Sequence, residues 1–128
     1  MRELTPIDAF EFLQTTPDAV LLDVRSFAEF WFVGHPVGAL NAAWSDEHWN
    51  LNAHFLEEVQ AAVADPSNPV VLICRSGKRT LDAGRLLEEA GYTQLTHVLY
   101  GFEGDLGAGN RRSTVNGWRF DGLPWEQG

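Results

Sequence analysis

Val70-Val71-Leu72-Ile73-Cys74-Arg75-Ser76-Gly77-Lys78-Arg79-Thr80 begins with four apolar residues, passes through a lone cysteine and three cations, and runs into a segment of helical periodicity. An apolar run of this length, bounded by Pro69 and Cys74, reads as a strand buried on both faces. From Arg79 to Ala90 the spacing of Leu81, Leu86 and Leu87 predicts a helix with a buried stripe, closed by Gly91 in a left-handed cap. A strand, a loop and a helix in this order form the repeating unit of a parallel sheet, because parallel strands need a crossover connection.

The flanking segments repeat the theme. Thr5 caps a helix with Pro6 at its first position and Asp8 near its positive end, carrying Ala9, Phe10 and Leu13 as its apolar stripe until Thr15-Thr16-Pro17-Asp18. Val20–Val24 is a second apolar run. Ser26 with Glu29 three residues on is a capping box, which predicts a short helix from Ser26 to Phe32, broken by Gly34-His35-Pro36-Val37-Gly38. Ala39–Ala42 reads as a short strand. Asn52 is placed to cap a helix from Ala53 to about Ala64 with Phe55, Leu56, Val59 and Val63 on one face, and Asp65–Pro69 is a turn. Leu95–Tyr100 reads as the last strand. The segment 101–128 is rich in glycine yet carries Phe102, Trp118, Phe120, Leu123 and Trp125. Disordered tails rarely hold so many aromatics, so it is expected to fold back on the body of a single domain spanning 1–128. There is no internal repeat or low-complexity block.

Composition narrows the function. The chain has 128 residues and is 45% apolar, enough for a core without metal or disulfide staples. Eighteen acidic residues against nine basic ones give a net charge of -9, which disfavours binding to a nucleic-acid backbone. A single cysteine cannot close an internal disulfide and fits a reducing, cytoplasmic setting. Met1–Pro6 lacks the apolar run of a signal peptide, and no window approaches the ~18 apolar residues of a membrane span.

Against that acidity, three of the nine basic residues, Arg75, Lys78 and Arg79, fall within positions 74–79. Even scatter would put about 0.4 there, so the cluster reads as an anion site. Ligands of open α/β sheets bind at the carboxyl ends of strands, where Cys74 stands. Loop amides and a following helix N-terminus favour a thiolate over a thiol. The residues thus point to Cys74 as a nucleophile beside an anion-binding loop, Arg75 to Thr80.

These residues match a known pattern. Cys74–Thr80 resembles the active-site loop of rhodanese-domain sulfurtransferases. Leu22-Asp23-Val24-Arg25 with Glu29 resembles that family's D-V-R-x-x-x-E element, and Gly34–Asn41 its G-H-I-P-G-A-x-N element. Pro36 and Val37 replace the usual Ile-Pro there, a change expected to shift a turn and leave the chemistry alone. Gly122-Leu123-Pro124 is similar to the closing G-L-P. The four elements stand in the family's order from about Thr5 to Trp125.

The resemblance implies a rhodanese-like α/β fold, a five-stranded, mostly parallel sheet flanked by helices on both faces. It implies that the Cys74 thiolate takes the outer sulfur of a small anionic donor, thiosulfate rather than mercaptopyruvate. A persulfide forms and passes its sulfur to cyanide, a thiol or a partner-protein cysteine. Arg75, Ser76, Gly77, Lys78, Arg79 and Thr80 then bind the donor and the persulfide, with main-chain N–H groups from 75 to 80 around the terminal sulfur. Neither metal nor organic cofactor is called for. Asp23 is read mainly as a structural hydrogen-bond partner, with an accessory role as the alternative, and Arg25 with Glu29 as an ion pair or cap. The chain departs from the family's G-G-x-x-x-W: it has Gly101-Phe102-Glu103-Gly104 and reaches Trp118 only fourteen residues later. The segment 104–117 carries Arg111 and Arg112, expected by analogy near the site mouth, to capture an anion or partner, or else as a solvated loop.

Rival readings remain. Cysteine phosphatases and arsenate reductases leave five residues between Cys and Arg, whereas four separate Cys74 from Arg79 and the sixth position is Thr80, so this loop is one residue short. A nonenzymatic rhodanese-like binding module or a sulfur-relay carrier is a further alternative. His35, His48, His54 and His97 lack metal-ligand spacing and read as turn or surface residues. Gly77-Lys78 is no P-loop, since Leu72 occupies the position of its first glycine, and no G-x-S-x-G elbow is present. Trp31, Trp44 and Trp49 are candidates to line a pocket. Oligomeric state is left open.

Overall fold

Val70–Ile73 is buried along its whole length, and the sheet is assembled around it. The computed structural model describes residues 1–128. In chain order the elements are β1 (Arg2–Leu4), α1 (Pro6–Thr15), β2 (Val20–Asp23), a π-helical turn (Glu29–Val33), β3 (His35–Pro36), β4 (Leu40–Asn41), α2 (Phe55–Ala62), β5 (Val70–Ile73), α3 (Arg79–Glu89), β6 (Leu95–Val98) and β7 (Trp125–Glu126). Five strands pair in the order β1-β6-β5-β2-β4, every pair parallel. β3 and β7 form a separate antiparallel ribbon. No helix is long and apolar enough to cross a membrane.

Alternation along β2 and β5 splits the core in two. Val70 and Leu72 join Leu22 and Val24 beneath Phe55 and Val59 of α2 and Ala83 and Leu87 of α3. Val71 and Ile73 face the other way with Leu21, against Ala9 of α1 and against Phe102 and Trp118 of the C-terminal segment. Burial of each such side chain stabilises the fold by roughly 1.5–3 kcal/mol. Helices therefore cover both faces, as the motif pattern implied. Trp118 is seated edge-to-face on Phe10, with centroids 5.8 Å apart, and its indole N–H donates to the Pro124 carbonyl at 2.9 Å.

Several boundaries differ from the sequence reading, each for a physical reason. β1 carries no apolar pattern, since Arg2 and Glu3 occupy a sheet edge, and only its pairing with β6 makes it a strand. The Ser26 capping box forms, with the Glu29 amide donating to Ser26 Oγ at 3.2 Å, but the helix it opens widens into a π turn ending at Gly34. Only Leu40–Asn41 of the expected 39–42 strand pairs with β2. α2 starts at Phe55, not Ala53, because the Asn52 side chain accepts from the His54 amide at 3.0 Å and makes a turn instead of a cap. Leu81 faces solvent, the stripe of α3 running through Thr80, Ala83, Gly84 and Leu87. The last parallel strand stops at Val98, and Tyr100, with φ +68°, belongs to the turn behind the cysteine loop.

Candidate active site

Cys74 follows directly on β5, at the carboxyl end of a central strand, and the loop it begins runs straight into α3. Its side chain is buried, only 1% exposed. The Gly77 amide donates to Cys74 Sγ at 3.2 Å, and Thr80 Oγ1 lies 3.8 Å from the sulfur. Gly77 has φ +98°, a backbone conformation that side-chain-bearing residues seldom adopt, and there the loop turns toward the start of α3. Of the main-chain donors from 75 to 80, the Gly77 amide reaches Sγ, and the Thr80 hydroxyl stands beside it.

A second loop braces this one from below. The amide of Phe102 donates to the Cys74 carbonyl at 2.7 Å, and those of Glu103 and Gly104 donate to the Arg75 carbonyl at 2.9 and 3.1 Å. Gly101 makes that approach feasible: it has φ +64°, and a Cβ there would collide with the carbonyl oxygen of Cys74 and stand 2.6 Å from the carbonyl carbon of Arg75. Gly101→Ala is expected to destabilise the protein by about 1–3 kcal/mol and to lower thiol reactivity at Cys74, read by denaturant unfolding and alkylation rate. Wild-type values for both would remove the bracing role.

The three loop cations have different fates. Arg79 forms a bidentate pair with Glu29, at 2.7 and 2.9 Å. Burial alone would raise the Glu29 carboxyl, but the Arg79 hydrogen bonds and charge, with the Ser26 amide, outweigh it and hold the group below its ordinary value of 4.5. Burial likewise works against the Arg79 cation, and Glu29 overrides it. The pair's contribution to stability is therefore complete above pH 4.5 and is lost as pH falls through the lower folded-state value. Glu29→Gln should flatten the acid limb of a Tm-against-pH curve relative to wild type; parallel curves would contradict the clamp. Arg75 and Lys78 have no carboxylate partner; Arg75 lies 5.8 Å and Arg79 5.1 Å from the centroid of the Trp49 ring. Trp49, at φ +65°, is presented by a loop folded around Asp46, whose Oδ1 accepts from the amides of His48 and Asn50 at 2.8 and 2.9 Å.

A cavity of about 480 Å³ opens beside the loop, with Arg75, Trp49, Glu29, Phe32, Glu103 and Arg112 among its walls. Arg112 is among its walls, its Nη1 donating to the Gly104 carbonyl at 2.7 Å, whereas the buried Cys74 is not. Arg111 does not line it, because its backbone closes a bridge with Gly107 at the tip of the loop. Of the three tryptophans considered, Trp49 lines the cavity while Trp31 packs on Phe30 and His35 and Trp44 on Phe55. Glu29, Glu47 and Glu103 also stand in the walls, carboxylates that no local sequence signal places there because separate segments bring them together.

Asp23 and Arg25 do not reach this cavity. Both are fully buried, joined at 2.6 to 3.1 Å, and Arg25 also donates to the Gly34 carbonyl at 2.6 Å and stacks over Phe102. Arg25 therefore pairs with Asp23, and Glu29 with Arg79. Among the histidines, His48 and His54 are exposed as expected, whereas His35 and His97 are buried. His35 stacks on Phe30 with ring centroids 3.8 Å apart, and His97 lies behind Thr80, its Nδ1 3.2 Å from Thr80 Oγ1. No grouping of side chains capable of holding a metal ion is present.

Comparison with known proteins gives the family and the same fold. The Rhodanese-like domain family matches residues 7–106. The chain is 29% identical over 103 residues to the thiosulfate sulfurtransferase GlpE of Haemophilus influenzae, covering 80% of this chain and 86% of that protein. The crystal structure of Rv0390 from M. tuberculosis superposes with a TM-score of 0.90 at 39% identity, covering 100% of this chain and 98% of that one. A polysulfide-sulfur transferase homodimer from Wolinella succinogenes superposes with a TM-score of 0.69 at 25% identity, over 100% of this chain and 80% of that one.

Proposed function

The chain belongs to the rhodanese-like domain family, and from that premise we propose that it is a sulfurtransferase that carries sulfane sulfur on Cys74, with thiosulfate as donor. The observation that carries the reading is the lone cysteine at the end of β5, with the Gly77 amide on its sulfur at 3.2 Å and two uncommitted cations, Arg75 and Lys78, in the same loop. The likeness to a thiosulfate sulfurtransferase supports the choice of donor.

The Cys74 thiolate attacks the outer sulfur of thiosulfate. A new S–S bond forms, the old one breaks, and sulfite leaves with the electron pair. The terminal sulfur of the persulfide stands ~2.05 Å beyond Sγ, within the curve of the loop from Arg75 to Thr80. There Ser76 and the remaining amides are the donors for its charge, and Gly77 keeps its bond to Sγ. Arg75 and Lys78 hold the anionic donor and the departing sulfite. Arg79, clamped by Glu29, acts through its positive field. Arg112 supplies a further cation at the mouth, and Arg111 stands further out on the same loop as a candidate for partner capture. A nucleophilic acceptor (cyanide in an assay, a thiol or a partner-protein cysteine in a cell) then takes the outer sulfur and returns the thiolate. The chemistry draws on residues of the 1–128 domain without metal or organic cofactor, and suits a reducing compartment such as the cytoplasm, where a thiol persists.

The test is intact-protein mass after incubation with thiosulfate and again after cyanide. The expected result is a gain of one sulfur, about 32 Da, that cyanide removes. A free thiol that gains nothing from thiosulfate overturns the donor, and one that gains nothing from any sulfane donor overturns the sulfurtransferase reading in favour of a binding module.

A further inference from the structure

A buried chain of polar groups runs from Cys74 Sγ to the far edge of the sheet. Thr80 Oγ1 is 3.8 Å from Cys74 Sγ, 3.3 Å from the Gly77 carbonyl oxygen and 3.2 Å from His97 Nδ1. His97 is only 3% exposed. Its Nε2 is buried and 3.2 Å from Glu3 Oε1, out of hydrogen-bond alignment with it. The parallel register explains the placement, since His97 of β6 stands between Leu72 of β5 and Glu3 of β1. A cavity of about 450 Å³, walled by Glu3, Arg85, Glu88, Glu89 and His97, opens this end to solvent. It shares no lining residue with the mouth beside Arg75.

We infer that Thr80 and His97 form a proton relay through which His97 controls how much of Cys74 is thiolate, from a face the sulfur donor never touches. The inference rests on the reading of Cys74 as the sulfur carrier. Thr80 has one hydroxyl proton and three neighbours able to accept it: the Gly77 carbonyl, the His97 ring nitrogen and the cysteine sulfur. With neutral His97 protonated on Nε2, Nδ1 accepts from Thr80, whose oxygen is then free to accept from the Cys74 thiol. The transfer is concerted. The S–H bond breaks as its proton passes to Thr80 Oγ1, and the Thr80 proton passes to His97 Nδ1. This leaves a thiolate and an imidazolium. The imidazolium then donates from Nδ1 to Thr80, and the Thr80 hydroxyl turns its proton toward the thiolate. No oxidant or co-reactant is consumed, and Thr80 ends as it began.

The charges around His97 are mixed. Glu3 from β1 and Glu88 and Glu89 from α3 favour the imidazolium. Arg85 of α3 opposes it, as does the Met1 ammonium, which is 3.7 Å from Glu88. β5 offers only the apolar Leu72 in register. His97 acts on the sulfur through Thr80, which makes it a positioning residue.

The experiment is a pH titration of thiolate absorbance near about 240 nm on the full chain, with Cys74→Ser as background. His97→Phe and Thr80→Val are each expected to cut the thiolate fraction at about pH 7 roughly tenfold, and the double variant to cut it no further than either alone. Thr80→Ser should restore the wild-type curve. Superimposed curves for wild type and His97→Phe, or additive effects in the double variant, overturn the relay. Should His97→Phe fail to fold, Glu3→Gln at the exposed end is expected to move the curve about threefold in the same direction, and an unmoved curve overturns the relay equally. The titration needs no sulfur donor. A chain that shows the shift yet never loads sulfur keeps the relay and loses the sulfurtransferase reading. A chain that loads sulfur with no shift does the reverse.

Discussion

Replacing Cys74 by serine is expected to abolish sulfur loading, leaving intact mass unchanged after thiosulfate, while the protein stays folded. A serine hydroxyl has negligible alkoxide content at neutral pH and makes no stable bond to sulfane sulfur, whereas a thiolate displaces sulfite readily. The replacement is nearly isosteric. It keeps an acceptor for the Gly77 amide and a donor to the Thr80 hydroxyl oxygen, so the loop has no reason to rearrange. Far-UV circular dichroism and a melting curve close to wild type are the control. Turnover of the serine variant at more than about one hundredth of the wild-type rate would move the chemistry to another group.

Arg25 gives the second large effect, on stability instead of chemistry. Its guanidinium and the Asp23 carboxylate are both 0% exposed. Taking away one partner leaves an ion without compensation in the interior, at a cost of about 3–5 kcal/mol, against a total stability for such a domain of roughly 5–15 kcal/mol. Arg25→Met is therefore expected to lower the unfolding free energy by that amount, measured by denaturant titration, and Asp23→Leu to do likewise. Removing both charges together should recover part of the loss, because no lone ion remains. A double variant as unstable as the sum of the singles would mean that the bonds to Gly34 and the Arg25 backbone amide outweigh the ion pair itself.

Much of the fold is legible because its signals are local. Thr5 caps α1, Pro6 starts it and Asp8 donates its amide to Thr5, all within one turn. The apolar run Val70–Ile73, short and bounded by Pro69 and Cys74, carries the length and flanks of a strand buried on both faces. Errors cluster where local preference is outvoted. Asn52 is a good cap residue used for a turn, and Leu81 is an apolar residue left outside the stripe of its helix. β1, β3 and β7 are strands of two or three residues that exist only through their partners.

The candidate site divides the same way. The sequence by itself determined the place of the lone cysteine at a strand end, the cation-rich loop, the glycine that lets it turn, and membership of the parallel α/β class, because each follows from residues within a few positions of Cys74. Tertiary structure decided which cations are free. Glu29, fifty residues before Arg79, claims that guanidinium, and the pairing leaves Arg75 and Lys78 as the loop cations without a carboxylate partner. It also decided that Asp23 and Arg25 hold the frame, that Gly101 braces the Cys74 carbonyl, and that His97 stands behind Thr80. The physical reason is register. Each of these contacts depends on how separate segments align once the parallel sheet has formed, and pairing between distant segments leaves no periodic trace along the chain.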